Sequence, residues 1–282
     1  MTASNCIFLT GGSGFIGRHV ITQALKRGIM IIAQKLPEID PAFPETQGLI
    51  WVSGYYHDDW SQYLKKCDLM IHLAAHSANP PYDSLQECVK QNVLDPLALF
   101  NQAVDCGITR YIVAGTSFEY GISGSVYEFI PVHAPLLPTN SYSISKAASS
   151  VVFAGWSIMN HVMLKYIRFF QVFGEGEPDF RLWPSMRKAA LNGYDFDLTE
   201  GEQIRDFINV ESVAEKILQQ TNFEDFQQDS PKFFNLGSGN PMTIRKFAEF
   251  WWKQWGATGK LNFGALPYRD NEVMRFVPLI ED

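Results

Sequence analysis

The chain has 282 residues, of which 46% are hydrophobic and 19% are charged, and its formal net charge is −7 at pH 7. This composition is typical of a globular protein with a large buried core. The negative charge argues against nucleic acid as a partner, because its phosphates would be repelled, and no apolar run approaches the ~18 residues that a membrane helix needs.

The first residues lack the basic and then apolar pattern of a signal peptide, so we expect a cytoplasmic protein without membrane contact. Four cysteines, at positions 6, 67, 88 and 106, are widely separated in the sequence. This spacing favours reduced thiols over a metal or redox site, and we expect no metal.

Apolar, strand-like runs alternate with helical patterns over the first two-thirds of the chain. The alternation predicts crossover units and a parallel sheet covered by helices on both faces, which is the doubly wound α/β class. The ligand of such a fold lies outside the carboxyl ends of the strands. The predicted strands are residues 5–10, 29–34, 49–52, 69–74, 110–115 and 163–169, and the predicted helices are residues 14–27, 58–66, 82–106 and 140–161.

After Phe169 the sequence becomes rich in glycine, proline and aromatic residues. The pattern predicts a helix near residues 185–192, a helix and a strand of the core at 205–220 and 232–237, and added elements from residue 242 onward. We expect a smaller lobe interleaved with the sheet domain. The sheet domain would comprise residues 1–170 and 207–237, and the lobe residues 171–206 and 238–282.

The first strand leads into TGGSGFIGRHV, residues 10–20, where Gly11, Gly14 and Gly17 recur every three residues. Glycines at a strand-to-helix junction let the backbone approach a diphosphate, and the helix N-terminus supplies unpaired N–H donors. An ordinary glycine-rich turn is the alternative. The position at the first junction of an alternating chain favours a Rossmann dinucleotide site, to which Phe15 and Ile16 would also belong.

The end of the second strand predicts which dinucleotide is bound. An acidic residue there would bind the ribose 2′-hydroxyl of NAD, whereas a basic residue favours the 2′-phosphate of NADP. The strand ends in Ala33-Gln34-Lys35, without a carboxylate. Lys35 and Arg18 are expected to contact that phosphate, with a solvated surface position as the alternative for either cation. NADP(H) is therefore favoured over NAD(H).

Tyr142 and Lys146 are four residues apart in YSISK, so a helix projects both from one face. A cation near a phenol favours the phenolate and brings a group that normally titrates near ~10 toward working pH. The spacing is common by chance, but here it begins a helix after the fifth strand, with Asn140 as a candidate N-cap. Thr116 and Ser117 end that strand, where a hydroxyl binds either a substrate oxygen or its own backbone.

Eight motifs cover nearly the whole chain in order: TGGSGFIG, IHLAAHS, QNVLDPL, GTSFEYG, YSISK, RFFQVFG, QIRDFINVESVA and FNLGSG. Together they resemble the extended short-chain dehydrogenases/reductases that include nucleotide-sugar epimerases, dehydratases and ketoreductases. The resemblance implies that Thr116 orients a sugar oxygen and that Tyr142 gives or takes a proton. It also implies that Lys146 holds the nicotinamide ribose and lowers the pKa of Tyr142.

The resemblance implies further ligand contacts. For the cofactor these are Ala74 and Ala75 in the loop beneath it, the active-site Asn92, and Asp58 in place of the usual adenine-contacting Asp, whose position is Tyr55. A solvated side chain is the alternative for Asn92, and a satisfied loop histidine is the alternative for His76. The expected contacts to a nucleotide-diphosphate sugar are Thr116, His76, Ser117, Phe118, Gln171, Arg181, Arg205 and Arg269. Six arginines lie in the less regular segments, namely Arg168, Arg181, Arg187, Arg205, Arg269 and Arg275. The resemblance makes Arg205 and Arg269 the better candidates for phosphate and Arg181 a further one, with a surface salt bridge as the alternative for each.

Departures from the family pattern reduce the number of reactions that this chain is expected to catalyse. Ser117 and Phe118 stand where the dehydratases carry Asp and Glu, so 4,6-dehydration lacks its general acid and base. Glu119 is displaced by one position and, if the strand continues that far, faces the other way. The GTSFEYG segment is like that of the CDP-abequose-synthase type of 4-ketoreductase.

The sequence therefore predicts NADPH-dependent reduction of the C4 ketone of an NDP-4-keto-6-deoxyhexose. An NAD-dependent NDP-sugar 4-epimerase, which would use the same Tyr, Lys and Thr, is the first alternative. A cofactor-sensing binding protein is the second, although such a protein has no need of Tyr142 and Lys146. The helices predicted at 82–106 and after Asn140 are those through which the family forms dimers, so we expect a homodimer with a four-helix seam.

Overall fold

The computed structural model describes residues 5–224, 226, 229–270 and 272–280. Over the first 170 residues, strands alternate with helices. The strands are β1 (Cys6–Thr10), β2 (Met30–Lys35), β3 (Leu49–Ser53), β4 (Leu69–His72), β5 (Arg110–Thr116) and β6 (Met163–Phe169), and the helices are α1 (Phe15–Lys26), α2 (Ser61–Leu64), α3 (Leu85–Val89), α4 (Asp95–Asp105) and α5 (Ser141–Met159).

The rest of the chain adds shorter elements. They are β7 (Gln171–Phe173), α6 (Leu182–Leu191), β8 (Phe196–Leu198), β9 (Ile204–Arg205), β10 (Phe207–Asn209), α7 (Val210–Gln219), β11 (Lys232–Leu236), β12 (Met242–Thr243), α8 (Ile244–Gln254), β13 (Leu261–Phe263) and β14 (Arg275–Phe276).

Seven strands form one parallel sheet in the order β11-β6-β5-β4-β1-β2-β3. All five residues of β1 are buried, as expected for a central strand that is covered on both faces. The strand order reverses between β1 and β4, and an open α/β sheet has its ligand crevice at such a reversal. The predicted doubly wound α/β fold is confirmed.

Two apolar cores flank the sheet. On one face, Ile21 of α1 and Ile217 of α7 pack against the strands; on the other face, Phe100 of α4 and Phe153 of α5 do so. None of the helices in the described part of the chain combines the length and the hydrophobicity needed to span a bilayer.

Local sequence explains where the helices beside the crevice begin and end. The Asn140 side chain accepts the Ser143 N–H at 2.9 Å, and the Ser143 hydroxyl accepts the Asn140 N–H at 3.2 Å. This capping box starts α5 at the predicted residue. After α1, Gly28 takes a positive φ of 72°, the conformation that commonly ends a helix.

Some predicted boundaries were wrong. The helix predicted over 58–66 is only the single turn α2. Its first predicted residues form turns instead, because the Asp58 carboxylate accepts the Tyr55 N–H and the Asp59 carboxylate accepts the Ser61 N–H at the start of α2. The helix predicted over 82–106 begins at Leu85 and passes through a π-helical segment, Lys90–Leu94. The first residues predicted as helix over 205–220 form β9 and β10, and the strand predicted over 69–74 ends at His72.

A smaller aromatic core forms in the second half of the chain. Trp183 of α6, Phe207 of β10 and Phe247 of α8 belong to it, and the rings of Phe207 and Phe247 stack with centroids 3.9 Å apart. The assignment of residues to a sheet domain and a lobe stays a prediction.

The fold brings two of the separated cysteines together. The Sγ atoms of Cys6 and Cys67 lie 3.2 Å apart, and both are buried free thiols. Their separation in the sequence gave no sign of this proximity.

Candidate functional site

A cavity of about 540 Å³ opens at the carboxyl ends of the parallel strands. Its walls include the last residues of β2, β5 and β6 and the segments that follow β1 and β4. Residues of α5 complete them. This is the crevice that the reversal in strand order predicts.

The floor of the cavity is the glycine bend between β1 and α1. Gly11 has a φ of +74°, and a Cβ there would lie 2.5 Å from the Ala74 nitrogen. A Cβ at Gly17 would collide with the carbonyl group of Gly11, so this residue permits the close approach of α1 to the bend. The first residues of α1 line the cavity, and the N–H groups of a first helical turn have no partner within the helix, as a diphosphate site requires.

Ser13 adds an observation in favour of a bound polar ligand. Its hydroxyl oxygen is buried and has no hydrogen-bond partner among the described residues, although the residue lines the cavity. Buried polar groups in proteins are normally paired. The bend therefore fits a dinucleotide diphosphate, because the backbone leaves room for it and the Ser13 hydroxyl is free to donate to it.

The end of β2 forms the wall where the adenosine ribose of a dinucleotide would lie. Gln34 lines the cavity and donates from Nε2 to the Gly54 carbonyl at 2.7 Å, and Lys35 lies beside it with its amine 3.4 Å from the Leu36 carbonyl. No carboxylate occupies this strand end.

Thr116, Tyr142 and Lys146 meet at the opposite end of the cavity. Thr116 is the last residue of β5, whereas Tyr142 and Lys146 lie one turn apart at the start of α5. The Thr116 hydroxyl lies close enough to the Tyr142 phenol to lower its pKa. The three side chains that the resemblance assigns to catalysis are thus brought to one cavity from two elements, β5 and α5.

Burial raises the pKa of the Tyr142 phenol above its ordinary value, and the negative charge of Glu119 adds to this effect. Thr116 and the cation Arg181 act in the opposite direction but do not outweigh burial. The lowering by Lys146 that the resemblance implies stays a prediction. Lys146 is 1% exposed and donates from Nζ to the Ala114 carbonyl at 2.7 Å. Burial lowers the pKa of Lys146 to about 8, whereas Glu119 raises it.

Arg181 and its neighbours form the outer wall. The Arg181 guanidinium donates to Glu177 Oε1 at 2.9 Å and to Asn79 Oδ1 at 3.2 Å, and its side chain is 29% exposed. Ser117, Phe118 and Gln171 also line the cavity. Among the described residues, those that line it include three cations, Lys35, Lys146 and Arg181, and none is Asp or Glu. A protein of net charge −7 thus presents a locally positive pocket.

Asn92 and His76 were predicted at the ligands but lie outside the cavity lining. The Asn92 amide accepts the His76 N–H at 2.7 Å and donates to the Ser145 hydroxyl at 2.9 Å. The His76 ring bonds to Asp83 at 2.6 Å. Asn92 lies buried in the π-helical segment and joins the loop after β4 to α5. The hydrogen bonds of both side chains are thus used within the protein.

Arg18 and Asp58 also lie outside the cavity lining. The Arg18 guanidinium donates to the carbonyl groups of Ser13 and Gly14 at 3.3 and 3.4 Å, so it supports the glycine bend from behind. The Asp58 carboxylate accepts the Tyr55 N–H at 2.7 Å and closes the turn after β3.

The predicted phosphate contacts of Arg205 and Arg269 do not gather at the cavity either. Arg205 donates to Glu272 Oε1 at 2.7 Å, and both side chains are largely buried in this pair. Arg269 is exposed. Arg168 is buried in an ion pair with Glu119, whose Oε2 lies 2.7 Å from its Nε. Of the arginines singled out in the sequence, Arg181 is the one that the described structure places in the cavity wall.

Sequence reasoning missed Tyr56, Thr10 and His72, which support the cavity floor. Tyr56 lines the cavity, and its phenol lies close enough to the Thr10 hydroxyl for that group to lower its pKa. The Thr10 hydroxyl lies 2.7 Å from His72 Nδ1. Burial and the nearby Lys146 lower the pKa of His72 to about 3, so the imidazole is neutral. The one available sequence signal is the position of Thr10 and His72 at the ends of adjacent strands.

Comparison with known proteins adds to this geometry. The family model described as NAD dependent epimerase/dehydratase family matches residues 7–237. A CDP-abequose synthase of Salmonella muenchen is 26% identical over 273 residues, covering 95% of this chain and 87% of that protein. A UDP-glucose 4-epimerase of Lactobacillus helveticus is 25% identical over 270 residues, covering 83% of this chain and 77% of that protein.

Solved structures share the fold over the full chain. A UDP-N-acetylglucosamine 4-epimerase from Methanobrevibacter ruminantium M1, in complex with UDP-N-acetylmuramic acid, superposes with a TM-score of 0.86. The two sequences are 22% identical, and the match covers 99% of this chain and 90% of that one.

Proposed function

The chain belongs to the NAD dependent epimerase/dehydratase family, and on that premise we propose that it uses NADPH to reduce the C4 ketone of an NDP-4-keto-6-deoxyhexose. The observation that carries this proposal is the composition of the catalytic end of the cavity. A hydroxyl, a phenol and an ammonium group converge there, and none of the described lining residues is Asp or Glu.

The missing carboxylates favour reduction over dehydration. Removal of water from a sugar needs a general base and a general acid beside the carbons that react. Ser117 and Phe118 occupy the two lining positions after Thr116, and neither can take that role. Glu119, the nearest carboxylate in sequence, is 0% exposed and is held by Arg168 on the far side of the turn.

The protein residues would handle the proton of the reduction. When bound, the dinucleotide supplies the hydride that reaches the carbonyl carbon. Tyr142 donates its phenolic proton to the carbonyl oxygen, and Thr116 donates a hydrogen bond to the same oxygen. The resulting phenolate then regains a proton from solvent. The raised pKa of Tyr142 keeps the phenol protonated and ready to donate.

Lys35 supports NADPH as the reductant. It ends β2 in the position where an NAD-binding protein would carry an acidic residue for the ribose hydroxyls. A cation there instead attracts the 2′-phosphate, and Gln34 beside it is committed to the Gly54 carbonyl. NAD(H) remains the alternative cofactor under this proposal.

Arg181 supports a diphosphate-bearing substrate. A guanidinium fork matches paired phosphate oxygens, and Arg181 lies in the cavity wall with Asn79 and Glu177 holding its orientation. Gln171 and Phe118 line the same cavity. A nucleotide-diphosphate sugar would extend from Tyr142 toward this arginine.

The test is turnover of a panel of NDP-4-keto-6-deoxyhexoses with NADPH that carries deuterium on its transferable position. We expect loss of the nicotinamide absorbance and a product that has gained one deuterium on C4, detected by mass spectrometry and NMR. Tyr142→Phe is the control for chemistry at this site. Absence of turnover with every ketone would reject the proposal.

The 4-epimerase alternative is favoured by one observation, the similarity to the Lactobacillus helveticus UDP-glucose 4-epimerase over 83% of the chain. An epimerase oxidises and re-reduces the same sugar on a cofactor that it retains. Protein that purifies with bound NAD and converts an NDP-hexose without added cofactor would establish this alternative in place of the reductase.

We also propose that the chain forms a homodimer through α3, α4 and α5. Large apolar side chains are exposed along α3 and α5, including Leu85 at 45%, Val151 at 68% and Met159 at 81%. Pairing of two such surfaces would bury them in a four-helix seam. Light scattering after size-exclusion chromatography should show a dimer for the wild type and a monomer for Val151→Glu; a wild-type monomer would reject the seam.

A further inference from the structure

A buried ion pair lies directly behind the catalytic end of the cavity and takes no part in the proposed reaction. Glu119 is 0% exposed and Arg168 is 4% exposed, and Arg168 Nε lies 2.7 Å from Glu119 Oε2. Burying two charges costs free energy that their attraction often fails to recover. We therefore expect this ion pair to have a role other than stabilising the fold.

The second oxygen of Glu119 holds the backbone of the catalytic threonine. Glu119 Oε1 accepts the Thr116 N–H at 2.9 Å and the Tyr166 hydroxyl at 3.0 Å. The Thr116 hydroxyl accepts the Phe118 N–H at 3.3 Å, so a capping box fixes the turn that ends β5. A shift of the carboxylate would move Thr116 relative to Tyr142.

The space around Glu119 is filled on the sheet side. A Cβ at Gly115 would lie 2.8 Å from Glu119 Oε1 and would collide with the Tyr166 ring. On the other side, Arg168 also donates to the Tyr120 hydroxyl at 3.2 Å and to the Val132 carbonyl at 3.0 Å. The carboxylate thus has one available orientation.

Glu119 is also the anion that acts on both titrating groups of the site. It raises the pKa of Lys146 against the effect of burial, and it raises the pKa of Tyr142. The other groups around Lys146 are the Ala114 carbonyl on β5, His72 on β4 and the Tyr166 ring on β6. Those around Tyr142 are Thr116, Tyr82 and Arg181.

We propose that Glu119 is a positioning residue of the active site, which holds Thr116 through its backbone N–H and keeps a fixed negative charge behind Lys146 and Tyr142. This inference rests on the proposed function for its catalytic meaning. The charge keeps the buried Lys146 protonated and the Tyr142 phenol neutral before proton transfer. Arg168 orients the carboxylate through their ion pair. Burial raises the pKa of Glu119, and the charge and hydrogen bond of Arg168 oppose this rise.

The first test follows the titration of Lys146 and needs no substrate. Protein labelled with carbon-13 at lysine Cε is titrated by NMR, and the Lys146 resonance is assigned by its loss in Lys146→Met. In the wild type the midpoint should lie near the pKa of about 8 that burial and Glu119 set. In Glu119→Gln the midpoint should fall by about one unit, which is the lower range of the effect of a nearby opposite charge.

Asp206→Asn is the matched control. Asp206 is also 0% exposed and accepts two backbone N–H groups, those of Ser238 and Gly239. Its replacement should lower stability and leave the Lys146 midpoint in place. An unchanged midpoint in folded Glu119→Gln, or an equal fall in Asp206→Asn, would overturn the proposal.

A double variant covers the case in which Glu119→Gln alone does not fold. Glu119→Gln with Arg168→Met removes the pair together and leaves no unpaired buried guanidinium. The Lys146 midpoint should again fall in this variant, and an unchanged midpoint would count against the proposal.

The second test applies once a turnover assay exists. Glu119→Gln should lower kcat about tenfold or more while the KM for NADPH changes little, because binding at the glycine bend is untouched. If the wild type shows no turnover, the proposed reductase function is rejected, whereas the NMR result still tests the effect of Glu119 on Lys146. Full activity of Glu119→Gln with a lowered Lys146 midpoint would reject the positioning of Thr116.

Discussion

Replacing Lys146 by methionine should change how the stability of the protein depends on pH. Lys146 is 1% exposed, and its burial lowers its pKa from 10.5 to about 8. The folded protein therefore releases this proton near pH 8, whereas the unfolded chain retains it until about pH 10.5. Between these values the unfolded chain binds more protons, so the free energy of unfolding rises with pH.

The magnitude follows from the difference between the two pKa values. At ~1.4 kcal/mol for each pKa unit, the charged Lys146 destabilises the folded state by about 3 kcal/mol at neutral pH. This cost is fully present below the folded pKa and disappears as the pH approaches the unfolded one. Its hydrogen bond to the Ala114 carbonyl survives deprotonation, since a neutral amine still donates.

The assay is urea unfolding followed by tryptophan fluorescence at several pH values. Other groups titrate in the same range, so the informative quantity is the difference between wild type and Lys146→Met. That difference should change by about 2.5 kcal/mol from neutral to about pH 10, in favour of the wild type. Lys253→Met, which removes an exposed amine on α8, serves as the control. Parallel curves for wild type and Lys146→Met would refute the reasoning.

Three further changes test the site. Tyr142→Phe removes the proton donor and should lower kcat by about a hundredfold or more with little change in NADPH affinity, as steady-state kinetics and binding titrations can separate. Gly17→Ala should abolish dinucleotide binding in calorimetry, because its Cβ collides with Gly11, whereas Gly155→Ala meets open space and should bind normally. Lys35→Asp should shift the ratio of NADP(H) to NAD(H) affinity toward NAD(H) by about tenfold, or roughly 1.4 kcal/mol, and an unchanged ratio would show that Lys35 makes no contact with the 2′-phosphate.

Much of the site was visible in the sequence because its members sit at element boundaries. The ends of parallel strands meet at one edge of a sheet, so a glycine bend after β1 and a threonine ending β5 had to face the same crevice. Tyr142 and Lys146 follow from helical spacing once Asn140 fixes the start of α5. The family motifs then supplied roles that spacing alone does not give.

The sequence did not show which charged side chains pair with each other. Arg205 pairs with Glu272 and Arg168 pairs with Glu119, although both arginines looked like candidates for phosphate. These pairs join residues 67 and 49 positions apart. A local pattern carries no information about contacts at such separations, so Arg181 could not be preferred on sequence grounds.

The amino-acid sequence by itself determined the doubly wound sheet, the glycine bend and the strand and helix ends that carry Thr116, Tyr142 and Lys146, because each depends on local periodicity and capping. Only the tertiary structure decided the pKa values of the groups in the site. Burial in a core assembled from distant segments keeps Tyr142 neutral and lowers the pKa of Lys146. The carboxylate of Glu119 reaches Thr116 only because β6 brings Arg168 beneath the same turn.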